Sequence, residues 1–193
     1  ANLGSTFMLP LKTPTIALLV DGGVDSGEAG EIWHLLDQRM QMPVTLLPLE
    51  SVSGTNLDRY SVILMADGSY GQLGQSGAAA LKTWVSKGNT LVAKGGALRW
   101  LAQNEIGNFT FRKVDNAEKG LQNNYADFEN ATGAKQTFGA IFKSTLDTSH
   151  PIGYGYVSKD LFTFRNDNFF LEPSTNPYAN PLVYTKDPLA SGY

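Results

Sequence analysis

"TLVAKGGALRWLA", residues 90–102, is the stretch on which the fold turns. Thr90 to Ala93 is an apolar run of strand length, Lys94-Gly95-Gly96 is a sharp turn, and Ala97 onward has helical patterning. A strand, a tight turn and a helix in this order form the unit that holds a nucleophile at its tip in many α/β enzymes. Here the tip is Lys94-Gly95-Gly96 and the chain has no cysteine.

The same alternation runs back through the first half. "TIALLV" (15–20) is a continuous apolar run, suited to a parallel strand covered on both faces. "DGGVDSGEAG" (21–30) is a Gly-rich turn in which Asp25 and Glu28 have capping-box spacing. The helix that follows is expected to reach about Met40, with Ala29, Ile32, Leu35, Leu36 and Met40 as its apolar stripe and Pro43 beyond its end. "VTLLPL" (44–49) is a second strand, with Pro48 marking its end or a sheet edge. "SVILMA" (61–66) is a third, followed by the Gly-rich "DGSYGQLGQSG". The helix "AAALKTWVSK" (78–87) stops at Gly88, and "NTLVA" (89–93) is the fourth strand. This order predicts an α/β fold with an open, mostly parallel, doubly wound sheet and helices on both faces.

The second half differs. Residues from about 104 to 137 are polar and irregular and read as an insertion. "TFGAIFK", "GYGYV", "LFTFR", "NFFLE" and "PLVYT" then read as antiparallel strands added to the parallel sheet in the C-terminal half. Residues 1–14 read as a linker from an upstream domain, and 15–193 as a single domain.

Composition narrows the function classes. The net charge of −3 comes without runs of either sign, which argues against a nucleic-acid partner. No apolar stretch approaches the roughly 20 residues of a membrane span. The absence of cysteine removes disulfides, thiolate metal sites and cysteine nucleophiles. With only two histidines, His34 and His150, a catalytic zinc site and its usual three protein ligands are not expected.

Ligands of open α/β sheets sit beyond the carboxyl ends of the strands. Asp21-Gly22-Gly23, Asp67 to Gly71 and Lys94-Gly95-Gly96 occupy such positions, so Asp21, Asp67, Ser69 and Lys94, with His150 from the second half, are candidates for one crevice. Ordinary turn chemistry accounts for the same residues. The glycines of the first loop do not follow G-x-G-x-x-G, and four acids (Asp21, Asp25, Glu28, Glu31) would repel a phosphate. Those acids suit a hard cation or, more simply, the positive end of a helix. Ser69 and Ser76 each miss the G-x-S-x-G pattern by one position. The chain order Ser69, Asp147, His150 permits a triad in principle, but His150, before a proline and among aromatics, reads as structural.

"YSVILMADGSYG" and "LKTWVSKGNTLVAKGGALRWLA" together resemble the middle of a class I glutamine amidotransferase-like domain. In that family a Gly-rich oxyanion loop, a helix and a strand lead into the elbow G-x-C-x-G. Here the oxyanion-type loop falls at Gly68 to Gly71 and the elbow at Ala93 to Ala97, with the cysteine position at Gly95. Alanines replace the flanking glycines, and His150-Pro151-Ile152 echoes the family's His-Pro-Glu without its acid. The elbow Lys94, Gly95, Gly96 is therefore degenerate, and glutaminase chemistry by the usual route is excluded.

A narrower resemblance rests on "ALLVDGGVDSGEAGEIWHLLDQRMQMPVTLL", the elbow region and "GAIFKSTLDTSHPIGYGY". These look like the bacterial subgroup in which such a domain follows the catalytic domain of a secreted zinc carboxypeptidase. The resemblance implies a flavodoxin-like, amidotransferase-like fold and a non-catalytic accessory role. It implies an upstream peptidase domain of the same chain as partner, and a periplasmic or extracellular location. It also implies zinc only in that upstream domain and no cofactor in this fragment. The alternative is a binding or hydrolytic small-molecule site built from Asp21, Asp67, Ser69 and Lys94.

Overall fold

In a computed structural model of the chain, residues 11–113, 125–127, 139–166 and 169–192 are described. They fall into two compact units, Ala1–Asn108 and Phe109–Tyr193. Most of the expected linker and most of the expected insertion lie outside the described residues.

The first unit is built on four parallel strands: β1 (Ile16–Val20), β2 (Val44–Pro48), β3 (Val62–Met65) and β4 (Thr90–Ala93), in the order β2-β1-β3-β4. Leu18 of the central β1 pairs in register with Leu46 on one side and Leu64 on the other. As its unbroken apolar run predicts, β1 is buried from Ile16 to Leu19. Pro48 closes β2, an edge strand, where the missing N–H costs no ladder bond.

Helix α1 (Ser26–Trp33) lies between β1 and β2 in sequence, and α2 (Gly74–Ser86) lies between β3 and β4. The two connections step in opposite directions across the sheet, so right-handed crossovers put these helices on opposite faces. On the face of Ala17, Leu19, Leu47, Ile63 and Met65 all five side chains are buried. On the other, Leu18 is fully buried while Leu46 and Val92 of the edge strands remain 49% and 50% exposed. Helix α3 (Gly96–Gln103) follows β4 and buries Ala97, Trp100 and Leu101.

The helix expected to run to Met40 changes character after Trp33. His34–Arg39 is a π-helical segment, with the Met40 N–H donating to the Leu35 carbonyl. The widened turn takes residues out of the 3.6-residue register. Ala29 is buried as expected, but Leu35 and Met40 are exposed.

The second unit holds β5 (Ala140–Leu146), β6 (Asp160–Arg165) and β7 (Leu182–Ser191) in an antiparallel sheet of its own, order β6-β5-β7. The late strands are thus not additions to the parallel sheet. "GYGYV" is not a strand either: Pro151–Gly153 is a 3-10 turn, and the glycines and proline that punctuate this stretch favour turns. Among its described residues, "NFFLE" contributes a single bridge, Leu171 with Phe111. The unit is organised around aromatic rings, with the Arg165 guanidinium 4.0 Å from the Phe170 ring centroid and its Nη1 donating to the Tyr184 hydroxyl at 3.2 Å.

Ser144, on the central strand β5, is fully buried and its hydroxyl has no hydrogen-bond partner among the described residues. Burying an unpaired hydroxyl is unfavourable. Ser144→Ala is therefore expected to raise stability by about 1 kcal/mol in urea unfolding. A loss of that size would show that the hydroxyl is satisfied.

Candidate functional site

The loops after β1, β3 and β4 meet at the carboxyl edge of the parallel sheet. Val24 and Gly68 form an antiparallel bridge between the first two. In it the Asp25 N–H donates to the Asp67 carbonyl (2.8 Å) and the Ser69 N–H to the Gly23 carbonyl (2.9 Å). Asp21 enters its loop with φ +62, and its carbonyl accepts the Val24 N–H at 3.0 Å. Ser69 is exposed and takes part through its backbone.

Asp25 caps α1 as the sequence suggests: its Oδ1 accepts the Glu28 N–H at 2.8 Å. The other half of a capping box is absent. The Glu28 carboxylate reaches across to the next loop, where Oε2 accepts the Asp67 N–H at 3.1 Å and pairs with the Lys94 ammonium at 2.9 Å. One carboxylate thereby connects all three loops. Capping-box spacing drew attention to Glu28 for its own helix, and nothing local signals its longer reach.

The decisive geometry lies at the elbow. Gly95 has φ +57 and ψ −135, a conformation that side-chain-bearing residues rarely adopt. A Cβ built there would stand 2.3 Å from Asp67 Oδ1 and 2.4 Å from its carboxyl carbon. The place that a side chain at the tip would take is filled by the Asp67 carboxyl group. Asp67 Oδ1 in turn accepts two backbone N–H groups, from Gly68 at 2.7 Å and from Gly96 at 2.5 Å. Gly96 follows the tip residue, and Gly68 belongs to the neighbouring strand's loop. These are the two sources from which an elbow enzyme draws its oxyanion donors. Gly96 has no alternative here, since a Cβ would stand 2.4 Å from the Gly68 carbonyl oxygen.

Beneath these loops Tyr70 is buried, with its hydroxyl donating to the Ala66 carbonyl at 2.8 Å and its ring 6.2 Å from that of Trp100. Burial, then the negative charges of Asp67 and Glu28, hold its phenol well above the ordinary value of 10.0. The folded protein therefore keeps the proton where the unfolded chain releases it. That contribution is complete below pH 10.0 and is lost progressively as pH rises above it. Tyr70→Phe is expected to cost about 1 kcal/mol at neutral pH, through the orphaned carbonyl. It is also expected to flatten the fall in stability above pH 10.0, as read from urea midpoints across that range. An unchanged alkaline slope would place its origin elsewhere.

His150 belongs to the second unit, where Nδ1 accepts the Ile152 N–H at 3.1 Å and caps the Pro151–Gly153 turn. Asp147 accepts the Ser149 hydroxyl (2.6 Å) and N–H (2.9 Å), contacts that hold its carboxyl below the usual range. Two members of the conceivable triad, Asp147 and His150, are thus engaged within their own turn. His34 is exposed on the π-helical segment.

Among the described residues no group of three His, Asp or Glu side chains gathers as a metal site, and no helix is long and apolar enough to cross a membrane. Neither protein-family models, nor curated proteins, nor solved structures give a match to this chain.

The crevice candidates are therefore divided. Asp67 and Lys94 come together through Glu28, Asp21 and Ser69 contribute backbone, and His150 is engaged in capping a turn of the second unit.

Proposed function

We propose that the chain is a non-catalytic, class I glutamine amidotransferase-like accessory domain, of the kind that follows the catalytic domain in bacterial secreted zinc carboxypeptidases. The observation that carries this reading is the elbow at Lys94-Gly95-Gly96. It keeps the left-handed tip of a nucleophile turn but has no side chain there to attack a carbonyl. The strand order β2-β1-β3-β4 supports a flavodoxin-like assignment, as it follows that order through four strands. With two histidines and no cysteine, the residues of this chain do not suit a catalytic zinc, which in this reading belongs to the upstream domain. A periplasmic or extracellular location belongs to the same proposal.

The accessory role is docking, stabilisation or substrate gating for the upstream peptidase domain. Tyr154 and Tyr156, between β5 and β6, and Phe162 and Phe164 on β6 are all exposed and supply apolar surface for docking. A small-molecule site at Asp21, Asp67, Ser69 and Lys94 is less favoured, because the Asp67 carboxylate is turned onto backbone N–H groups.

The test uses the full-length gene product. Bound zinc and carboxypeptidase turnover are measured with residues 1–193 present and deleted. The expected outcome is a zinc-loaded enzyme that stays active on deletion but loses stability or substrate range. An upstream region without zinc or peptidase activity, or an enzyme indifferent to the deletion, would overturn the proposal.

A further inference from the structure

We propose that Asp67 is a built-in blocking group: its carboxylate permanently occupies an anion-holding position at the elbow, barring external carboxylates and substrate oxygens from it. The inference extends the non-catalytic reading above. Loss of the nucleophile alone would leave two converging N–H donors open to a ligand. Here both already point at one oxygen of a resident carboxylate, at 2.7 and 2.5 Å. The donors come from different strand loops, so the position is a junction of two segments and not merely a helix end. Occupation and glycine are also coupled. The Asp67 carboxyl group stands where a Cβ of residue 95 would be, so a nucleophile and this blocking group exclude each other. Glu28 supports the arrangement by accepting the Asp67 N–H, and its pairing with Lys94 balances the second negative charge.

Asp67→Ala removes a carboxyl group, and formate is that group as a free anion. In the 193-residue chain carrying Asp67→Ala, sodium formate is expected to raise the Tm by about 3–5 °C at ten times its Kd, above a sodium chloride control. Neither the wild-type chain nor Asp67→Asn should show this increment. A second measurement does not depend on how well the alanine variant folds. In the wild-type chain the amide protons of Gly68 and Gly96 should resonate downfield, and both should move upfield in Asp67→Asn, where a neutral amide replaces the charged acceptor. A formate effect equal in all three proteins, or glycine amide shifts untouched by Asp67→Asn, would overturn the proposal. These readouts concern this chain alone, so they can fail while the accessory role stands, and the reverse also holds.

Discussion

Replacing Gly95 by alanine is expected to lower the stability of the chain by about 3–5 kcal/mol. Two costs combine. The first is conformational, because φ +57 with ψ −135 lies in a region that L-residues with a side chain reach only under strain of about 1–3 kcal/mol. The second is steric. The new methyl carbon would overlap the Asp67 carboxyl group, whose nearest atoms lie at 2.3 to 2.7 Å. The carboxylate must then give up one of its two N–H donors, and a hydrogen bond to a charged acceptor contributes about 1.5–3 kcal/mol. Urea unfolding of the two proteins gives the difference. A loss below about 1 kcal/mol, the ordinary scale for a surface glycine, would mean that the tip is neither strained nor filled.

Much of the first unit could be read from pattern alone. The apolar runs at Ile16–Val20, Val62–Met65 and Thr90–Ala93 are short, unbroken and followed by glycine, and parallel strands under helices have that signature. The elbow was legible for the same reason: an apolar strand, two glycines and an amphipathic helix leave few alternatives. The site chemistry was only half legible. Asp67 and Lys94 stood out by position, but Glu28 joins them through contacts across 39 and 66 residues of sequence, which no local rule detects. The Asp67 carboxylate presented the same difficulty. An Asp before Gly ordinarily reads as turn chemistry, and its N–H bond from Gly68 is of that kind, but the bond from Gly96 is tertiary. In the second unit, alternation was a weaker guide. "GYGYV" and "LFTFR" both look strand-like, but only the second pairs along its length, Thr163 opposite Phe142 and Leu161 opposite Ser144.

Asp67→Ala is expected to destabilise the chain by about 2–4 kcal/mol. The alanine leaves the part-buried N–H groups of Gly68 and Gly96 without their acceptor, and unsatisfied buried donors cost about 1–3 kcal/mol each. It also leaves Glu28 and Lys94 bridging loops that have lost their common anchor. That remaining ion pair is about half exposed on the lysine side and adds little, since surface pairs contribute about 0–1 kcal/mol. Asp67→Asn keeps one oxygen acceptor in place and should recover about half of the loss. The comparison is made by urea unfolding at neutral pH. Equal loss in the two variants would show that charge, and not hydrogen bonding, dominates at this position.

The most direct test of the closed elbow is a double-mutant cycle between Gly95→Ala and Asp67→Gly. The glycine at position 67 removes the carboxyl group and also the Asp67 Cβ that would lie 2.7 Å from a new side chain at 95. If the Asp67 side chain fills the tip, the hydrogen-bond loss common to both singles is counted once, and the double variant loses less stability than their sum by about 1.5–3 kcal/mol. Additivity to within about 0.5 kcal/mol would contradict that geometry and leave the tip of the elbow unfilled by Asp67.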